Sequence, residues 1–277
     1  MSLAETYPAS VVCTVLDYPR STLYHERSNR DHEQLGQAVQ EVAGRWPTYG
    51  YRRVTAELRR DGWTINRKRV LRVMRELGLS RHRTVRKRRT TDSDHPFPRY
   101  PNLVKDLQVI RPDQVWVSDI TYIRLARGFV YLAVILDVFT RCVRGWNLDT
   151  NLAQELTLVA LRRALAHGAP ELHHSDQGVQ YAAGSYVAAL EAANVRISMA
   201  HVGRAWENGY AERFMRTLKE EEVDLSYYES FHDAHAQIKR FVEDVYMRKR
   251  VHSALGYLTP VEFEQHWQAE NSASVSP

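Results

Sequence analysis

Three carboxylates in the last two-thirds of the chain sit in local frames suited to metal-assisted phosphoryl transfer. Asp119 lies in Trp116-Val117-Ser118-Asp119-Ile120-Thr121-Tyr122, and Asp176 in His174-Ser175-Asp176-Gln177-Gly178. Glu212 lies in Glu207-Asn208-Gly209-Tyr210-Ala211-Glu212-Arg213-Phe214. The two aspartates close apolar stretches that read as strands, and the glutamate falls inside a helical pattern. Mg²⁺ is a hard cation that prefers carboxylate oxygens, and a pair of such ions can activate a nucleophile and stabilise a leaving oxygen. Taken singly, each residue has a blander reading. Asp119 can end a strand, Asp176 can cap a turn, and Glu212 can be a solvated helix residue. Glu207 is a rival carboxylate, but five residues is about 140° of helix, so it and Glu212 cannot easily face the same ions. Asp137 and Asp149 are weaker rivals without a supporting motif. His173 and His174 lack metal-ligand spacing, and His174 is read as structural or as support for Asp176.

The elements that must position these groups are legible in the pattern. Residues 115–125, 129–140 and 142–149 read as three strands, with tight turns at Arg127-Gly128 and Arg141. A helix over 151–167, a short strand over 171–175, a helix over 185–193 and a strand over 195–200 follow. A long helix then runs from Ala205 to about Val223. Lys219 is seven residues after Glu212 and about 20° off the same helical face, with Arg216 between them. Both cations are candidates for holding DNA phosphates; a helix-surface salt bridge is the plainer alternative.

Upstream, residues 33–79 read as three helices. Leu35 to Arg45 is stopped by Pro47, and Val54 to Arg60 is followed by the turn Asp61-Gly62. The third is capped by Asn66 and closed by Gly78, with Val70, Val73, Met74 and Leu77 on one face. Arg67, Lys68, Arg69, Arg72 and Arg75 crowd its other face. A solvated basic face is one reading; DNA contact is favoured because the helix follows two others in helix-turn-helix order. Val11 to Leu16 forms a further short helical pattern, consistent with half of a small helix-turn-helix or with a helical hairpin. Between the two regions, Arg81, Arg83, Arg86, Lys87, Arg88 and Arg89 precede Pro96, Pro98 and Pro101. Such a run reads as a tether or, preferably, as a contact to DNA backbone.

Charge divides the chain in the same way. Residues 1–105 hold 21 Lys/Arg against 11 Asp/Glu, and the remainder holds 17 against 22. The basic front half suits phosphates, whereas the acidic rear half suits metal ions. No apolar run approaches the length of a membrane span, and no signal pattern opens the chain. Cys13 and Cys142 fit neither a zinc site nor a disulfide framework, which suits a reducing cytoplasm.

Several of these words together carry a family resemblance. Thirty-five residues separate Asp176 from Glu212, as in the DDE core shared by retroviral integrases and bacterial insertion-sequence transposases. The frames Tyr49-Gly50-Tyr51-Arg52-Arg53, Asn66-Arg67-Lys68-Arg69-Val70, His174 to Tyr181 and His252 to Pro260 resemble the OrfB transposase of the insertion-sequence-three family over nearly the whole chain. Two departures are Glu207-Asn208 where relatives carry Asp-Asn, and Arg213-Phe214-Met215 where they carry Ser-Phe-Phe.

The resemblance implies an α/β fold with a ribonuclease H-like core, a mixed five-stranded sheet with helices, over residues 109–225. A helix-turn-helix-type DNA-binding region (1–80) and a basic linker (81–108) would precede it, and a helical segment (226–277) would follow. It further implies Asp119, Asp176 and Glu212 as catalytic ligands of two Mg²⁺ ions, with Mn²⁺ able to substitute. Partners implied are double-stranded DNA at transposon ends and target, further copies of the chain, and an upstream-frame OrfA product. An RNase H-like nuclease without strand transfer, and a DNA-binding regulator with a vestigial centre, are the alternatives.

Overall fold

The computed structural model describes residues 7–17, 29–79, 99–201 and 204–272, and the chain divides into two compact units, Met1–His82 and Arg83–Pro277. The first unit contains α1 (Ala9–Val15), α2 (Asn29–Arg45), α3 (Tyr51–Arg60) and α4 (Arg67–Glu76). Leu35, Val39 and Val42 of α2 are buried, as are Val54 and Leu58 of α3 and Val70, Val73 and Met74 of α4. These recur at the three- and four-residue spacing of a helix face. Helix α2 begins six residues before the expected Leu35, because apolar spacing marks only the buried stripe and not the polar first turns. Helix α4 starts where Asn66 accepts a hydrogen bond from the Lys68 amide at 2.9 Å. It ends at Gly78, whose φ of 68° lets Gly78 N reach Arg75 O and Leu79 N reach Met74 O. Arg67, Lys68, Arg69 and Arg72 are all exposed on α4. The expected linker contacts Arg86, Lys87, Arg88 and Arg89 lie outside the described residues.

The second unit is built on a five-stranded mixed sheet. Its strands are β1 (Val115–Arg124), β2 (Phe129–Asp137), β3 (Val143–Asp149), β4 (Leu172–Ser175) and β5 (Arg196–Met199). Their order is β3-β2-β1-β4-β5, antiparallel among the first three and parallel from β1 through β5, which is the ribonuclease H-like arrangement. Side-chain alternation sends successive residues to opposite faces. On one face Trp116, Ala133 and Ile135 pack against α5 (Gln154–Leu165), α6 (Val179–Ala182) and α7 (Gly184–Ala192). On the other, Val117, Ile123, Leu132 and Val134 pack against α8 (Gly209–Glu221), α9 (Phe231–Arg240) and the π-helical segment Phe241–Lys249. From Leu132 on, β2 is covered on both faces, so that stretch reads in sequence as an unbroken apolar run. Helix α5 lies so close to β3 that a Cβ on Gly145 would run into the Ala160 carbonyl oxygen.

Three details differ from the sequence expectation. Asp119 does not close its apolar stretch but sits in the middle of β1, whose observed bounds match the expected 115–125 within one residue, because pairing with β2 carries the strand on to Arg124. The long helix opens as a separate 3-10 turn, Ala205–Asn208, before α8. The short helix α6 was not foreseen. After α8 the chain forms a 3-10 turn Val223–Leu225, then α9, the π-helical segment, a 3-10 turn Ser253–Leu255 and α10 (Pro260–Ser272). The α9 region shares one core with the sheet through Ala234, Ile238, Phe241 and Tyr246.

Candidate active site

The site forms where the parallel ladder of β1 and β4 ends. Val117 pairs with His174. Continuing that register by two residues sets Asp119 level with Asp176, on adjacent strands roughly 5 Å apart. Asp176 follows Ser175, the last residue of β4, in a turn that Gly178 makes tight. The Gly178 amide donates to Asp176 Oδ1 at 2.9 Å, and a Cβ at Gly178 would stand only 3.0 Å from that oxygen.

Helix α8 brings the third carboxylate. Just before it, Asn208 Nδ2 donates to the Ser118 carbonyl at 2.9 Å. Eleven residues on, Lys219 Nζ lies 4.9 Å from the centroid of the Tyr122 ring. Those eleven residues span about 16 Å of helix, and Ser118 to Tyr122 spans about 13 Å of strand. The two elements therefore run side by side in one direction, and Glu212, one turn past Asn208, comes level with Asp119. Arg250 fixes the other end of α8 through two hydrogen bonds to Glu221, at 2.7 and 2.9 Å. At its start, the Arg141 guanidinium stacks on Tyr210, 4.0 Å from the ring centroid.

The electrostatics report the same convergence. Burial, then the charge of Asp176, pushes the Asp119 carboxyl from its ordinary 3.8 to about 8. Glu212 adds to the rise, while the Ile120 amide and Lys219 offset part of it. Asp119, Asp176, Glu212 and Lys219 are all half-buried, and Arg216 is exposed on α8. Among the described residues, no three His, Cys, Asp or Glu side chains stand close enough together to hold a metal ion by themselves. An open set suits Mg²⁺, which keeps several waters and is bound through one or two carboxylates and substrate phosphates. A carboxyl whose pKa is raised by two neighbouring carboxylates, with Lys219 offsetting part of their charge, belongs to a donor set that fits a divalent cation.

The rival carboxylates are engaged elsewhere. Glu207 accepts from Asn102 Nδ2 at 2.7 Å, from His201 N at 2.8 Å and from His201 Nδ1 at 2.9 Å. Burial raises its pKa, but these donors more than offset that and hold it at about 2. Asp137 is fully buried and takes Thr140 N, Thr140 Oγ1 and Asp113 N. Asp149 accepts from the Asn151 amide in a turn. His173 and His174 are buried against Tyr186 OH and Ser198 Oγ, at 2.9 and 2.8 Å. Burial lowers them to about 3 and about 4, so both are neutral and serve structure.

Sequence reasoning missed Asn208, Arg250 and Tyr181. Tyr181 is buried behind the site, with its hydroxyl near Asp176, Asp119 and the Ser118 hydroxyl. Asn208 carried a signal, standing just before Gly209 where a cap is expected, although its bond goes across to β1 and not to its own helix.

Known proteins share this organisation. A family model described as an HTH-like domain matches residues 30–89, and two described as Integrase core domain match residues 110–205 and 193–260. The chain is 34% identical to the insertion element IS600 uncharacterized 31 kDa protein of Shigella sonnei, over 92% of this chain and 98% of that protein. It is 31% identical to the transposase for insertion sequence element IS904 of Lactococcus lactis, over 84% and 93%. It is 34% identical to transposase InsF for insertion sequence IS3A of Escherichia coli K12, over 78% and 76%.

Proposed function

The chain belongs to the insertion-sequence-three family of transposases, DDE polynucleotidyl transferases with an integrase core, and from that premise we propose that Asp119, Asp176 and Glu212 form its cleavage and joining centre. What supports this reading most is that Asp176 and Glu212 both act on the Asp119 carboxyl, just past the end of the β1–β4 ladder, with Lys219 near enough to offset part of their charge. The three carboxylates would hold divalent metal, Mg²⁺ by preference with Mn²⁺ able to substitute. When bound, two such ions acidify an attacking water or 3′-hydroxyl and stabilise the leaving oxygen. Asp119 and Asp176 hold their oxygens on rigid, paired backbone, and Glu212 closes the set from the helix. Lys219 and Arg216 hold the phosphates on either side of the cut. No general-base histidine is needed, and the buried, neutral His173 and His174 supply none.

The reaction proposed is cleavage at transposon ends to expose 3′-hydroxyls, followed by their attack on a target phosphodiester. Both are displacements at phosphorus, so one site serves both. Residues 1–80 would bind the ends and residues 81–108 would follow the DNA backbone, while 109–225 carry the chemistry and 226–277 brace it. Joining two ends in concert calls for more than one copy of the chain, and the OrfA product of an upstream frame is the further partner proposed.

The test is cleavage and joining of an end duplex in Mg²⁺. Asp119→Asn, Asp176→Asn and Glu212→Gln are each expected to fall to background while still binding DNA. Glu207→Gln is expected to keep the chemistry. A dead Glu207→Gln beside an active Glu212→Gln would overturn the assignment. Cleavage without joining of a pre-cut end would make the protein a nuclease. Binding without either activity would make it a regulator.

A further inference from the structure

We propose that Tyr122 and Phe129 form a stacking platform for unpaired bases of the DNA end, next to the cleavage centre; this rests on the reading of Asp119 as part of that centre. Tyr122 belongs to the Asp119 motif, yet neither metal binding nor the core uses it. It lies on the sheet face that also carries Trp116 and Ile120. Its cross-strand neighbour there is Tyr131, and Arg124 pairs with Phe129. Helix α5 covers Ala133 and Ile135 on that face but leaves Phe129 50% and Tyr122 36% exposed. Their rings meet edge to face, 5.7 Å apart at 82°.

Three observations identify the occupant as nucleic acid bases. First, the parallel pairing of β1 with β4 stops at Val117, so the edge of β1 beyond Asp119 is open on that side among the described residues. Second, the platform is flanked by cations, with Lys219 Nζ over the Tyr122 ring and Arg124 exposed along the same face. Third, although alternation turns Tyr122 and Asp119, three residues and about 10 Å of strand apart, to opposite faces of the sheet, Lys219 links them across the open edge of β1, lying over the Tyr122 ring while its charge acts on the Asp119 carboxyl, so a strand end passing that edge can meet both. Aromatic faces beside a cationic track suit single-stranded DNA, because every base presents a π-face once it leaves the duplex. A paired duplex hides those faces. Lys219 occupies one face of Tyr122 in the free protein. A phosphate is the better partner for an ammonium than an exposed ring, so DNA that draws Lys219 away uncovers the ring for a base.

The test compares binding of the full chain to two end duplexes, one fully paired and one with mismatched terminal pairs, without divalent metal. Wild type is expected to favour the mismatched end. The double variant Tyr122→Ala/Phe129→Ala is expected to lose that preference, by about tenfold on the mismatched end, while Tyr122→Trp keeps it. A 5-iodouracil placed in the terminal pairs is expected to crosslink to Tyr122 or Phe129. An unchanged preference in the double variant overturns the proposal. So does an equal loss on both duplexes accompanied by a changed oligomeric state, which would make the face an interface between copies. Thermal melting of each variant checks that both exposed positions leave folding intact. Every arm reads binding, so an Asp119→Asn variant that still cleaves would sink the cleavage-centre reading without moving this preference.

Discussion

Asp119 is the residue on which most of the site's physics converges. Its carboxyl is held at about 8 by burial, then by Asp176 and Glu212, against an ordinary value of 3.8. A carboxyl whose pKa is raised on folding favours the protonated form in the folded state. The metal-free protein therefore carries a penalty that grows from about pH 4 and is complete above about pH 8. Asp119→Asn is expected to raise the melting temperature of the metal-free protein at pH 8 and to do so much less at pH 5. An equal gain at both pH values would show that charge crowding is not the cause. Lys219 is the matching cation. Lys219→Ala is expected to impair cleavage or joining more than stability, and Lys219→Arg to be partly tolerated, because a point charge suffices there. Full activity of the alanine variant would return it to a surface role. The choice of Glu212 over Glu207 was already open to argument from helical phase, since the two lie about 140° apart. What the sequence could not tell is that Glu207 is committed to His201 and to Asn102, the latter 105 positions away. Such a pairing depends on tertiary placement and has no local signature.

At the scale of elements, the catalytic geometry depends on helix α8 being held at both ends. Asn208 ties its start to β1, and Arg250 ties its last turn to the segment that follows α9. Arg250 and Glu221 are 5% and 6% exposed in their side chains, so their bond is a buried ion pair. Removing one partner strands the other charge, which costs about 3–5 kcal/mol. Arg250→Ala is thus expected to lower the unfolding free energy by that order, read in a denaturant titration. Replacing both residues together with methionine is expected to recover much of the loss, and failure of that recovery would show that Arg250 acts by another route. The strands and the helices of the core were readable because period-two and period-3.6 spacing reflect burial directly. The bounds were less so: α2 extends past its apolar stripe, and the helix expected from Ala205 opens as a separate 3-10 turn. One signal went unread. Thr259-Pro260-Val261-Glu262 is a capping box, with Thr259 N on Glu262 Oε2 at 2.8 Å and Glu262 N on Thr259 Oγ1 at 3.2 Å, and it starts α10.

Across the whole molecule, charge and chemistry are separated along the chain: +10 in residues 1–105 and −5 in the rest. A carboxylate centre repels DNA on its own, so the substrate must be held by cations elsewhere. The first unit supplies four exposed candidates on α4, Arg67, Lys68, Arg69 and Arg72. The run Arg86 to Arg89 supplies four more in sequence. These two groups should behave differently. Side chains on a helix that follows two others can reach base edges as well as phosphates. Neutralising the α4 group is therefore expected to weaken binding to transposon ends more than binding to unrelated duplex. A basic run that follows the backbone reads no sequence, so neutralising Arg86, Lys87, Arg88 and Arg89 is expected to weaken binding to every duplex alike. Each phosphate contact adds about 0.9 to the steepness of log affinity against log salt, so losing four flattens that slope by up to about 3.6. Titrations of both variants on end and unrelated duplexes at several salt concentrations read both quantities together. A slope unchanged by the second substitution would mean that the run makes no phosphate contacts and serves only to join the two units.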